Sequence, residues 1–183
     1  MKKLILSLLV VIVVFSLTGC LVTTRFQWAS STPGWINDMP PENVIWGIGS
    51  ARQSSSSMAM ITAEARARTA ITRQLDSLVQ AMFTDYNLDA GNVNYTLNVS
   101  FQQDVSNQIS NLRLSGARPI KRWQADNGTW WFLVEYNKDN ARSDIESILN
   151  NESAVFSQLR IQQAMQIFNT HLAGNSKPFQ VNE

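Results

Sequence analysis

Seven apolar residues recur at steps of three or four: Met60, Ala63, Ala67, Ile71, Leu75, Leu78 and Met82. That spacing predicts one long amphipathic helix from about Ser57 to Asp85. Glu64, Arg66, Arg68, Arg73 and Asp76 supply much of its charged surface. Its first half is rich in alanine, with Ala59, Ala63, Ala65, Ala67 and Ala70. Side chains this small let the first half lie close against a sheet or another helix.

The other elements are shorter. Asn43 to Ile48 is β-branched and aromatic and reads as a strand, closed by Gly47, Gly49 and Ser50. Ser54 to Ser57 can cap the long helix. Asn87 to Asn94 breaks the helical pattern, and Leu97, Phe101, Val105, Ile109 and Leu112 predict a second helix. A strand from Val93 to Phe101 is the rival reading, since apolar residues also alternate there. Gly116 to Gln124 and Thr129 to Tyr136 predict two strands, joined as a hairpin at Asn127-Gly128. Asp139 to Leu149 predicts a short helix. Val155, Leu159, Gln162, Met165, Ile167 and Phe168 predict a last one, ending near Gly174. The order implies an α+β domain: a small antiparallel three-stranded sheet packed by the long Ala-rich helix, with further helices on the same face.

The N-terminus has a different character. Lys2 and Lys3 precede an apolar run from Leu4 to Leu17. The run is shorter than the roughly 20 residues a spanning helix needs. A charged start and a short apolar core describe an export signal. Leu17, Thr18, Gly19 and Cys20 follow in that order. They resemble the lipobox of bacterial lipoproteins, in which a peptidase cuts before the cysteine and the cysteine takes the lipid. The resemblance implies a lipid-anchored chain beginning at Cys20, with a thioether-linked diacylglycerol and fatty acid such as palmitate.

Cys20 is the only cysteine and His171 the only histidine. With Cys20 lipidated, no thiol is left for catalysis, metal binding or a disulfide. A His-based metal cluster or catalytic triad is equally disfavoured. Removing residues 1–19 takes Lys2 and Lys3 and leaves Lys+Arg one short of Asp+Glu. Such a balance gives no footprint for nucleic acid. No cofactor is expected.

Further residues suggest a family. Pro33-Gly34-Trp35, then Pro40-Pro41, then Trp46-Gly47-Ile48-Gly49-Ser50-Ala51, then Ala63-Glu64-Ala65-Arg66-Ala67 stand in that order. The series resembles the Lpp-twenty family of bacterial membrane lipoproteins over roughly residues 33 to 137. That family opens on Pro-x-Trp and continues with an aromatic-Gly-x-Gly strand end and an alanine-rich helix bearing Ala-Arg-Ala. The resemblance implies an outer-membrane lipoprotein without enzyme activity. Its wider group includes flagellar outer-membrane lipoproteins, so a motility-associated structure is one implied setting.

Several motifs have plainer roles. Gly47-Ile48-Gly49 lacks the third glycine of a dinucleotide fingerprint, because position 52 is Arg52. Close packing of the strand against the alanine face accounts for both glycines. Glu64 and Arg68 are an ordinary i,i+4 surface pair. His171 has no acidic neighbour in sequence and reads as a surface residue. Trp130 and Trp131 are adjacent in a strand and point to opposite faces. One of them leaves the core side unless both faces are covered, so this pair is the candidate partner contact.

The resulting organisation is a signal peptide over 1–19, a lipidated tether over 20–34, one domain over 35–174 and a flexible tail over 175–183. The expected role is protein–protein contact or self-assembly at the outer membrane of the cell envelope. The alternative is a lipoprotein that binds a cell-wall or lipid ligand between the aromatic hairpin and the Ala-rich helix.

Overall fold

The computed structural model describes residues 31–89, 95–151 and 158–174. The export signal, Cys20 and its lipobox, Val155 and the tail 175–183 lie outside them. A 3-10 turn, Gly34–Asn37, precedes β1 (Val44–Ala51), α1 (Ser56–Asp89), α2 (Tyr95–Ser110), β2 (Arg118–Gln124), β3 (Trp130–Asn137), α3 (Lys138–Asn151) and α4 (Gln158–Gly174). The sheet is antiparallel in the order β1-β3-β2, and the architecture is α+β.

Helix α1 forms where its stripe predicts. Ser55 caps it: its hydroxyl accepts the N–H of Met58 at 3.4 Å. Ala63, Ala67, Ile71, Leu75, Leu78 and Met82 are buried, while Met60 at the top of the stripe is only half-buried. The alanine half rests on β1, whose facing residues are Gly47 and Gly49. No side chain fits between them. A Cβ on Gly47 would overlap the Ala67 carbonyl oxygen and stand 2.7 Å from Ile71 Cγ1. One on Gly49 would overlap the Ala63 carbonyl and stand 2.8 Å from the Arg66 carbonyl carbon. Glycine thus sets how closely helix and sheet approach.

The larger half of α1 packs on α2 and α4. Phe83 meets Phe101 edge to face, with centroids 5.5 Å apart. Residues 95–110 are helical, so the helix reading of this stretch holds and the strand reading does not. In α4 the buried stripe is Ile161, Ala164, Phe168 and Leu172. Of the residues that predict this helix, Phe168 is buried, Gln162 is exposed, and Met165 and Ile167 are half-buried.

The hairpin turns at the expected place. Gly128 has φ +84°, and its N–H donates to the Ala125 carbonyl at 2.8 Å. The result is a three-residue loop with glycine in the left-handed position, rather than a two-residue loop.

Register assigns the second face of the sheet to Trp46, Ile48 and Ser50 of β1, Trp131, Leu133 and Glu135 of β3, and Arg118, Lys121 and Trp123 of β2. Leu133 is fully buried there. Its cover comes from residues 31–40, which cross this face as a strap. The Trp131 indole N–H donates to the Ser31 carbonyl at 3.1 Å, and Lys121 Nζ donates to Asp38 at 2.8 Å. Within the strap, Pro33 is buried. Residues 31–34, read in the sequence as tether, therefore lie on the sheet.

Both sheet edges are obstructed. The Lys138 N–H to Asn43 carbonyl bond, 3.0 Å, sets the phase of the β1–β3 ladder. Even-numbered residues of β1 therefore turn their N–H and C=O outward. Gln74 of α1 donates to the Trp46 carbonyl at 2.9 Å, and Arg66 donates to the Ser50 carbonyl at 2.7 Å. At the other edge, β2 carries Pro119, a register shift between Pro119 and Lys121, and the cations Arg118, Lys121 and Arg122. These are the devices that discourage strand addition.

Candidate functional site

The two tryptophans proposed as a contact do point to opposite faces, as their adjacency requires. Trp130 lies on the helix face, where its N–H donates to the Ser56 hydroxyl at 2.9 Å and its ring is 6.4 Å from that of Phe132. Trp131 lies on the strap face, opposite Trp123 of β2. Both are half-buried, and both indole N–H groups are bonded within the chain. What the pair offers a partner is ring surface. The exposed apolar side chains near them belong to α1: Met58 is 51% and Ile61 63% exposed.

A groove opens beside this region, between the first turns of α1 and strand β2. Met60, Ile61, Pro119, Ile120 and Phe132 give it apolar walls, with Glu64, Lys121 and Arg122 at its margins. Its volume is about 400 Å³. It exists because α1 lies over β1 and β3 and leaves the helix face of β2 uncovered. Glu64 is held by Arg68 at 2.9 Å, the i,i+4 pair read from the sequence. Half-exposed, it is worth a few tenths of a kcal/mol.

His171 has an acidic companion that local sequence could not show. Its Nε2 lies 2.8 Å from Asp85 Oδ2, joining α4 to the end of α1. The two are 86 residues apart in the chain, and only tertiary packing brings them together. No third group completes a relay among the contacts shown for the described residues. Nor do the described residues include a group of three or more His, Cys, Asp or Glu placed to hold a metal.

Two titrating groups are shifted by burial. Lys138 is only 6% exposed, and its Nζ donates to the Leu172 carbonyl at 2.8 Å. Desolvation lowers its pKa, neighbouring Arg142 adds to this, and Glu42 opposes it. The ammonium satisfies a carbonyl in the last turn of α4. Tyr136 is fully buried and donates its O–H to Asp144. Burial first, and then the Asp144 bond and charge, raise its pKa well above the ordinary tyrosine value.

Tyr136 yields a pH prediction. A folded-state pKa raised above the unfolded value means that the folded chain keeps a proton the unfolded chain loses. The corresponding stability is fully present below about pH 10 and is lost as pH rises further, by up to about 1.4 kcal/mol per pH unit. Tyr136→Phe is expected to cost about 1–3 kcal/mol at pH 7, because Asp144 loses its donor. Above pH 10 the gap between wild type and variant narrows. Urea unfolding at both pH values measures it, and an unchanged gap would refute the assignment.

Comparison with protein-family models, with curated proteins and with solved structures found no match to this chain. Among the described residues, no helix is long and apolar enough to cross a membrane.

Proposed function

We propose that this chain is a lipid-anchored protein of the bacterial cell envelope, held at the outer membrane through Cys20. It works without catalysis, by contact with other envelope proteins or with further copies of itself. One observation carries the reading: a charged start and a short apolar run end at Leu17-Thr18-Gly19-Cys20. Leu21 follows the cysteine, where an aspartate would act as a retention signal in some bacteria. The likeness to Lpp-twenty lipoproteins, and the motility-associated setting it suggests, rest on the quoted residues alone. Crosslinking the full-length chain in intact cells tests the contact role. The expected product contains an envelope protein or a second copy. A strict monomer, both in cells and in mild detergent, would refute it.

A second reading has its own support. The groove between α1 and the hairpin lies where a ligand-binding lipoprotein would hold a cell-wall or lipid fragment. Its size falls in the range of small-molecule sites, roughly 300–1,000 Å³. Thermal-shift screening against peptidoglycan fragments and single-chain lipids decides between the readings. A binder present at 100 times its Kd adds about 2.7 kcal/mol of stability. Ile61→Glu is expected to remove that gain, and no stabilisation by any class removes the reading.

A further inference from the structure

We infer that the end of the sheet where Trp123, Trp130 and Trp131 gather lies against the lipid bilayer itself. The inference rests on the lipid-anchor reading and names the first partner of the anchored domain.

The position of the strap comes first. The Ser31 carbonyl is bonded to the Trp131 indole, so the chain leaves the domain at the end of the sheet holding Ser50, Trp123 and Trp131. Ten residues, Leu21 to Ser30, separate Ser31 from Cys20. Fully extended they span at most about 35 Å. A domain of this size has a radius of gyration of about 15 Å. A tether this short holds the exit end toward the membrane, since presenting the far end would require it to wrap around the domain.

The chemistry of that end suits an interface. Three tryptophans gather there, the residue type concentrated at bilayer–water boundaries. Met58 and Ile61 project from the adjoining turns of α1 and are the most exposed apolar side chains of that end. Arg52 and Arg122 are exposed beside them, with Asp126 at the hairpin tip and Glu64, paired with Arg68, at the groove margin. Apolar and aromatic groups flanked by cations are the composition of surfaces that rest in the headgroup region.

Glu42 supplies the contrast. It is exposed in the turn before β1, and the eight residues of β1, about 25 Å of strand, lie between it and Arg52. The test uses the full chain, exported and lipidated by its host, in phosphatidylethanolamine–phosphatidylglycerol vesicles. A thiol-reactive fluorophore is placed on Met58→Cys or on Glu42→Cys, and emission is compared in brominated and unbrominated lipid. A lipidated Cys20 has no thiol to label. The label at position 58 is expected to lose about half its emission in brominated lipid, as for groups 5–10 Å into the headgroup boundary. The label at position 42 is expected to change by less than about a tenth, because it lies beyond that depth. Equal quenching at both positions, or none at either, overturns the proposal and leaves the anchor intact. Labelling of the wild-type chain at Cys20 would instead remove the anchor, and the proposal with it.

Discussion

Gly47→Ala and Gly49→Ala are each expected to cost about 3 kcal/mol or more, among the largest effects of any single methyl group in this domain. The added carbon meets backbone, not the end of a flexible side chain: the Ala67 carbonyl for Gly47, the Ala63 carbonyl for Gly49. Relief requires α1 to lift from β1, which opens the contact between helix and sheet along its alanine half. In a domain near 150 residues each kcal/mol moves the melting temperature by about 2–4 °C, so a fall of about 10 °C is expected. Gly34→Ala is the control, because nothing lies within 4 Å of its added Cβ. It is expected to stay within about 0.5 kcal/mol of wild type. Thermal denaturation of the three variants checks the set, and a Gly47→Ala protein as stable as the control would show that helix and sheet do not approach this closely.

Cys20→Ser is expected to give an all-or-none result. The hydroxyl cannot replace the thiol in forming the thioether, so incorporation of labelled fatty acid falls to background and the uncleaved precursor accumulates. Lipid chains contribute about 0.8 kcal/mol per buried CH₂, and two or more make anchoring stable. Fatty-acid labelling with electrophoresis measures both outcomes. Undiminished labelling in the variant would contradict the assignment of Cys20.

Periodicity made much of the domain readable before any coordinates. The stripe from Ala63 to Met82 lies in the core, because a long run of consistent spacing leaves a helix only one face to bury. The hairpin was marked by Asn127-Gly128, although the loop formed is one residue longer than a simple two-residue turn. Helix α4 is less regular. It offers apolar residues on more than one face, and which face is buried depends on its neighbour α3 and on α1, which lies far away in sequence. The strap was not legible at all. Pro33 falls in the stretch read as tether and Trp35 opens the stretch read as domain, and only the Trp131 and Lys121 bonds place residues 31–38 on the sheet. The tryptophan pair was half legible. Adjacency gave opposite faces, but the Ser31 and Ser56 acceptors lie 100 and 74 residues away. The His171–Asp85 contact and the edge bonds from Arg66 and Gln74 were missed for the same reason.

If the chain is lipid-anchored as proposed, those edge bonds bear on life at a membrane. Anchored chains diffuse in two dimensions and collide far more often than the same chains free in solution. An open strand edge would then invite stacking of one sheet on the next, and eventually fibres. Arg66 and Gln74 on one side, and Pro119 with its neighbouring cations on the other, work like closed ends on a zip. Under the proposed anchor, they would let many copies share a crowded surface while each sheet stays three strands wide.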